Sequence, residues 1–495
     1  MGFLFMTSNT KFIELAKYDD ELCAVRIAVE GSAAVKHERE KLLPNPATVI
    51  YADGDRQELQ QKRYAKYLLN AEFDAYTSQT QGVMLGKLDL QTANIEVPSG
   101  LEYLLEDSDG DGLSFANGLL GSAAKNVTEA KWHIVVADYQ GLVELDVEDV
   151  SIADAEMAKK NAKVKFKQYP RESLIQYNIS TVNGVRQVDF LKFREFGYTF
   201  NKETGTRDEV TSYLTLALDK DGKYYQQKCT EGVSDVQSST SEKNYIDGFN
   251  FIPFWVFSDE ELQCGDFPQD LGYLGRIAEV CYQRYRLSAD FKEVLRESLP
   301  TTYVGVEDFT LKEFENINGR KVFAKGEANV VPGKITVQTE GVGESLTPFF
   351  EKFAETKQTL KDYGAYVPES GDDETATKAR INAAQQTAVL LPLAANLIEG
   401  TKALFAYAGV FEGLWDADGV EVAKEQVTVA INTEFETNSL TGMEFQQYAM
   451  AIATFTDMGR YNDELATKVM LEKGMYPKDM NADDIMKSLA SGIEE

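Results

Sequence analysis

The stretch Pro268–Leu299, PQDLGYLGRIAEVCYQRYRLSADFKEVLRESL, decides the fold. Leu271, Leu274, Ala278, Cys281, Tyr285 and Ala289 recur every three or four positions, which makes one apolar stripe on a helix. Arg276, Glu279, Arg284 and Arg286 fall mostly on other faces. After it the period changes. Thr301–Val306, Arg320–Ala324 and Lys334–Val337 are short extended runs between Gly and Pro turns. A second helix is predicted over Glu344–Tyr363, striped by Leu346, Phe349, Phe350, Phe353, Leu360 and Tyr363, with Gly364 placed as its C′ cap. Two amphipathic helices therefore flank a β insert. Neither stripe has an evident mate in the sequence, so both are expected to pack on neighbouring copies.

Upstream, Asp55–Tyr76 reads as a helix through Tyr64, Tyr67, Leu68, Ala71 and Ala75, and Leu113–Glu129 as another beyond an acidic turn at Glu106–Gly112. The middle is antiparallel β. Trp132–Asp146 reads as two strands around Gln140-Gly141, Ser173–Phe200 as a hairpin around Asn183-Gly184, and Tyr213–Lys228 as another around Asp219–Gly222. Downstream, Ala365–Gly371 is loop, and Asp372-Asp373-Glu374 opens a helix from Thr375 to about Leu414 in which Pro392 predicts a kink or break. Residues 441–495 read as two or three short helices. The expected class is α+β and mainly helical.

Composition narrows the function. The 495 residues carry 80 Asp and Glu against 50 Lys and Arg, a formal net charge of −30. That balance argues against gripping nucleic acid by its phosphates, a mode that runs on Lys and Arg. It leaves room for enclosing DNA without gripping it. With 43% hydrophobic residues the chain buries a sizeable core, and its length exceeds what one core fills. Cys23, Cys229, Cys264 and Cys281 lie far apart with no CxxC, so no disulfide framework or zinc ribbon is expected. The opening MGFLFMTSNTKF lacks a basic n-region, and the apolar run Ala388–Ile398 is about half a membrane span, so a soluble protein is expected.

Signs of chemistry are few. His37 and His133 are far apart and make no metal or triad pattern. Gly82–Leu88, GVMLGKL, is one spacer short of a P-loop and has Leu88 where Ser or Thr would hold Mg²⁺. Asp107, Asp109 and Asp111 followed by Gly112 match the first half of a calcium loop, but its twelfth position is Gly118, not Glu. The basic run Lys159, Lys160, Lys163, Lys165, Lys167 and Arg171 reads as a solvated face, with contact to an acidic partner or DNA as the minor reading. No cofactor, metal or catalytic group is expected.

The order of elements adds a resemblance. Ile252–Val306 resembles a block of the portal proteins of tailed bacteriophages, most of all the branch found in short-tailed and related phages. Ile252-Pro253-Phe254, Pro268–Leu271, Tyr285–Asp290 and Leu299-Pro300 carry it. Two further blocks match in order: Leu101–Phe115 resembles the family's acidic turn, and Lys361–Leu397 its loop and Glu-Thr-Ala-x-x-x-Arg helix, here Glu374-Thr375-Ala376 and Arg380. The chain departs at Cys281, where the family more usually carries a polar or Asn-like residue. The likeness covers most of the chain and is weak before residue 55 and after 440.

The resemblance implies a non-enzymatic virion protein, a ring of usually twelve copies at one capsid vertex that forms the head-tail connector. It implies a wing over 1–267, a stem helix over 268–288 and a clip over 289–343. A second stem helix over 344–363 and a tunnel loop over 364–374 follow, then a long kinked helix with the rest of the wing over 375–440 and a crown over 441–495. It further implies that Leu271, Leu274, Ala278, Cys281, Tyr285, Leu346, Phe349, Phe353 and Leu360 join stems between subunits. Tyr366, Val367, Pro368, Glu369 and Ser370 would line the channel. Implied partners are the major capsid protein, scaffold, terminase large subunit, head-tail adaptor or tail proteins, and double-stranded DNA passing without sequence readout during packaging and ejection. The implied location is the virion, with assembly in the host cytoplasm and no membrane. Another virion part, such as a head-tail adaptor or minor capsid protein, is the alternative, and an acid-dependent hydrolase a more distant one.

Overall fold

The structure, a computed structural model, describes residues 9–46, 54–139, 163–182, 185–201, 205–231, 239–262, 265, 267–297, 301–306, 328–332, 337–340, 346–367, 376–433 and 468. The chain is α+β and divides into two units. One comprises Met1–Val367 and Val389–Thr433, the other Pro368–Ala388 and Glu434–Glu495. The expected crown, 441–495, lies outside the described residues apart from Lys468.

The first unit has a β part and a helical part. In the β part, strand β1 (Asn94–Glu96) is followed by β2 (Trp132–Tyr139) and β3 (Val164–Pro170). Next come β4 (Leu174–Val182), β5 (Val185–Asn201), β6 (Thr206–Leu218) and β7 (Tyr224–Thr230). Two short strands, β8 (Ser239–Thr240) and β9 (Asn244–Tyr245), precede β10 (Phe254–Ser258). β2 lies between β10 and β3, and seven of its eight residues are buried, so it is covered on both faces. Strands β4 to β8 form an antiparallel meander with β9 on β7. Val182 pairs with Val185 across the expected Asn-Gly turn, whose own two residues lie outside the described set. At the β6–β7 hairpin Asp219 Oδ1 accepts the amides of Asp221 and Lys223, and Gly222 takes a φ of 77° that a side chain would resist.

The helical part holds α1 (Asp19–Glu30), α2 (Gly54–Asn70), α3 (Tyr76–Leu88), α4 (Gly121–Ala130), α5 (Leu274–Glu297) and α6 (Thr347–Asp362), and α7 spans Ala376–Phe411. The P-loop-like GVMLGKL therefore sits inside α3 and is not a loop. The helix expected to run to Tyr76 ends at Asn70, and α3 begins separately. Helix α5 continues past Ser288 to Glu297, so its last nine residues fall within the stretch assigned above to the clip. Pro392 lies inside α7, and the helix continues through it to Phe411.

Between α5 and α6, β11 (Thr301–Val306) pairs in parallel with β12 (Ala328–Pro332) and antiparallel with β13 (Val337–Glu340). The middle strand expected at Arg320–Ala324 lies outside the described residues, and the strand that pairs with β11 is further on. A last strand, β14 (Thr428–Ala430), pairs with β1 across the length of the chain. Within α7, Gln386–Phe411 is long and apolar enough to cross a membrane by composition, against the expectation of half a span. Half of its most apolar 18-residue stretch is buried in the protein itself, and Leu390, Leu393, Ala394 and Leu397 are fully covered.

Two cores result. One joins the sheets to the end of α7 through Trp132, Leu191, Phe193, Leu216, Tyr224 and Ala406. The other is helical, and α5 is its axis.

Candidate functional site

The helix–sheet–helix segment is where sequence and resemblance place function, and its position is set by how α5 is held. The run 268–272 that feeds α5 is pinned by three groups. Trp132 donates its indole Nε1 to Pro268 O at 2.9 Å. Arg171, 1% exposed, donates to Gln269 O and Asp270 O at 2.6 Å each and to Ala130 O at 3.1 Å. Gly272 N donates to Glu129 O at 3.1 Å. A Cβ on Gly272 would lie 2.4 Å from Thr128 O and 2.6 Å from Val127 O, so only glycine lets this run cross the end of α4. Burial pulls the Arg171 guanidinium below its ordinary pKa, while the charges of Asp19, Glu172 and Asp270 oppose that. Arg171 is a structural clamp and leaves the basic run expected to be solvated. Within the same run Lys167 pairs with buried Asp138 at 2.6 Å, and Lys163 lies over the Tyr103 ring. Lys159 and Lys160 lie outside the described residues.

The α5 stripe does have a mate in its own chain, which corrects the sequence expectation. Leu274, Ala278, Cys281, Tyr285 and Ala289 are each buried to 1% exposure or less, and Leu271 packs on the same core. Their partners are Val25 and Ala28 of α1, Leu42 and Leu43 beyond it, and Tyr67, Ala71 and Phe73 at and after α2. Cys281 takes a hydrogen bond from Thr77 Oγ1 at 3.6 Å, and burial pushes its thiol up to about 11. Such a thiol stays protonated and is no nucleophile. Polar side chains around α5 are held as well. Tyr282 OH donates to Ala24 O at 2.7 Å, Tyr67 OH to Asp290 at 2.6 Å, and Arg286 Nε to Leu42 O at 3.2 Å. The described residues of α5 open to solvent are the polar row Arg276, Glu279, Gln283, Arg286 and Asp290, and then Leu295.

Helix α6 is held less deeply. Leu360 is buried in the helical core, whereas Leu346, Phe349 and Phe353 are half-buried and Phe350 is 59% exposed. Phe291 of α5 gathers Phe349, Phe350 and Phe353 at ring separations of 5.7, 5.6 and 5.9 Å. Arg284 ties the pair together, donating to Asp74 at 2.8 Å, Phe353 O at 2.9 Å and Thr356 Oγ1 at 3.0 Å.

The exit from α6 follows the cap read from the sequence. Gly364 takes φ 72°, its N–H reaches Lys361 O at 2.8 Å, and Ala365 N reaches Leu360 O at 2.9 Å. This pair of bonds is a Schellman turn, closed by Ala365 and Leu360 in the same core. Tyr273 OH donates to Tyr363 O at 2.7 Å, and Tyr366 N donates to Thr80 Oγ1 at 2.9 Å. The root of the expected tunnel loop is therefore anchored on α3 and on Tyr273, the residue before α5. Beyond it Tyr366 is 46% exposed and Val367 half-buried. Pro368, Glu369 and Ser370 lie outside the described residues.

The other chemical candidates resolve into structure. In the calcium-like turn, Asp107 Oδ1 accepts the amides of Gly110 and Gly112 at 2.8 Å, and Asp109 Oδ1 those of Asp111 and Leu113. Those carboxylates hold their own turn. His133 is buried in β2 with Nε2 against Gln168 Oε1 at 3.2 Å, and burial lowers its pKa to about 4. Burial raises Asp259 above the usual carboxylate range against the pull of Lys131, which also pairs with Glu260. Among the described residues no three His, Cys, Asp or Glu side chains group as metal ligands would. Compared with protein-family models and with curated proteins, the sequence matches none.

Proposed function

We propose that the chain is a portal subunit of a tailed bacteriophage. On this reading it forms the ring through which DNA enters and leaves the capsid, and on which terminase and tail or adaptor proteins dock. One observation carries the proposal: a long helix, a small three-stranded sheet and a second helix occur in that order between Leu274 and Asp362, and the second ends in a fixed Schellman turn. In a portal these are stem, clip and stem, and the anchored turn delivers the tunnel loop. The net charge of −30 suits a channel that must pass phosphates without holding them. Because the apolar stripe of α5 lies in the subunit core, stems in the ring would meet through Arg276, Glu279, Gln283, Arg286 and Asp290 and through the exposed side of α6.

Capsids assembled with a chain whose Tyr366–Ser370 is replaced by a short glycine linker test this. The expected result is normal heads and rings with impaired packaging or retention of DNA. Wild-type packaging in particles lacking the chain altogether would overturn the portal reading.

A further inference from the structure

The hairpin of β5 and β6 outruns its sheet. β4 pairs with β5 no further than Phe193, and β7 pairs with β6 only from Ser212 on. From Arg194 to Asn201 and from Thr206 to Thr211 the two strands pair with each other, and among the described residues no third strand joins them. Directly opposed residues of an antiparallel pair share a face. Phe196 faces Thr211 and Tyr198 faces Glu209, so both rings lie on one side of this arm. Phe196 is 71% exposed and Tyr198 67%. Arg194, on the same face, lies 4.9 Å from the Phe196 ring centre, and exposed Arg207 follows Glu209 on that face. A two-stranded ribbon is marginal in water by itself, and adjacent bare aromatic rings mark a contact surface.

The same chain carries a recess of the opposite character. A groove of about 760 Å³ is floored by Trp255, Pro392 and Tyr407 and rimmed by Glu260, Glu261 and Glu399. That volume suits two aromatic rings. Val188 of β5 is part of its wall. Ten residues of one continuous strand separate Val188 from Tyr198, roughly 33 Å at ~3.3 Å per residue. An arm cannot fold back along its own strand, so it does not reach the groove of its own chain.

We propose that the arm of one copy docks in the groove of the next. Phe196 and Tyr198 seat on the apolar floor, and Arg194 and Arg207 meet the acidic rim. Arm and groove are different surfaces, so the contact is head-to-tail and repeats from copy to copy, closing into a ring where the rotation allows. It also gives a chain of net charge −30 a locally complementary patch through which to associate with itself. The inference deepens the portal reading by naming what joins the subunits, and rests on that reading only for closure of the ring.

Two variants test it. Phe196→Ser with Tyr198→Ser removes the knob, and Ala395→Trp fills the groove from an exposed helical position. Both sites face solvent, so circular dichroism should show both subunits folded. Light scattering and native mass spectrometry should show each variant alone failing to assemble, with the half-assembly concentration raised at least about 100-fold. An equimolar mixture should form one-to-one dimers and stop, because only one intact arm and one intact groove remain per pair. Wild-type assembly by either variant alone, or no dimer in the mixture where the wild type assembles, would overturn the proposal. A wild-type chain that stays monomeric at every concentration would do so too. Normal rings from both variants would leave the portal reading standing without this contact. Arm-dependent rings that play no part in DNA packaging would leave this contact standing without the portal reading.

Discussion

Arg26→Met takes away a cation shared by three elements. From α1, Arg26 donates through Nε and Nη2 to Glu172, through Nη1 to Glu129 Oε2 at 2.6 Å, and through Nη2 to Asn126 Oδ1 at 3.0 Å. Burial works against its charge, but Glu172 and Glu129 outweigh that and its pKa is raised. Glu129 is 1% exposed and also accepts from Gln81 Nε2 at 2.8 Å. Without Arg26 the Glu129 carboxylate keeps the amide but loses its counter-charge, and breaking a buried pair from one side costs about 3–5 kcal/mol. Glu172, whose side chain is 30% exposed, rehydrates and adds about 0–1 kcal/mol. Methionine keeps most of the aliphatic stem, so the loss is mainly electrostatic. Urea unfolding followed by tryptophan fluorescence should therefore show a loss of about 3–5 kcal/mol. The double variant Arg26→Met with Glu129→Gln should recover roughly half, since a neutral amide tolerates the site. A single-variant loss below about 1 kcal/mol, or a double variant no better than the single, would refute the reasoning.

His133 should shape the acid limb of stability. It is buried neutral, and its pKa falls from 6.5 to about 4, so the unfolded chain binds the extra proton between those values. Stability is then full above pH 6.5 and declines toward pH 4, by about 3 kcal/mol from this residue. His133→Gln should flatten that decline, and an unchanged slope in pH-dependent urea unfolding would contradict it. Gly272→Ala should lower stability by about 1–3 kcal/mol because its Cβ meets backbone carbonyls; an unchanged melting midpoint would count against the pinned run. Leu274→Asp places an unpaired carboxylate at a fully buried position and costs several kcal/mol. Circular dichroism should show the subunit itself unfolding, and a folded subunit that merely fails to assemble would return the stripe to an intersubunit role.

What was legible in the sequence were local rules. The α5 stripe, the Asp219–Gly222 turn and the Gly364 cap each follow from period or from a required φ, and the structure has all three. What the stripe packs against was not legible. Helical period says that a face must be buried, not by what, and the covering residues Val25 and Tyr67 lie more than two hundred positions away. The same limit hid the pairing of β1 with β14 and of β2 with β10. Arg171 was misread because charge alone suggests solvent. The available signal was its neighbourhood: it follows a strand that alternates Val164 and Phe166 with polar residues and ends at Pro170, so it falls at the turn between β3 and β4. Nothing in the sequence singles out Gly272, and only the carbonyls of Val127 and Thr128 reveal its role. Tyr366 lies in a loop as expected, but the hydrogen bond from its backbone N–H to Thr80 Oγ1 joins residues far apart in sequence.

Electron microscopy of the purified chain tests the central claim most directly. Class averages should show closed rings of uniform subunit number around a central hole wide enough for duplex DNA, persisting across moderate salt and protein concentration. A homogeneous monomer under all those conditions, or open filaments without closure, would contradict it.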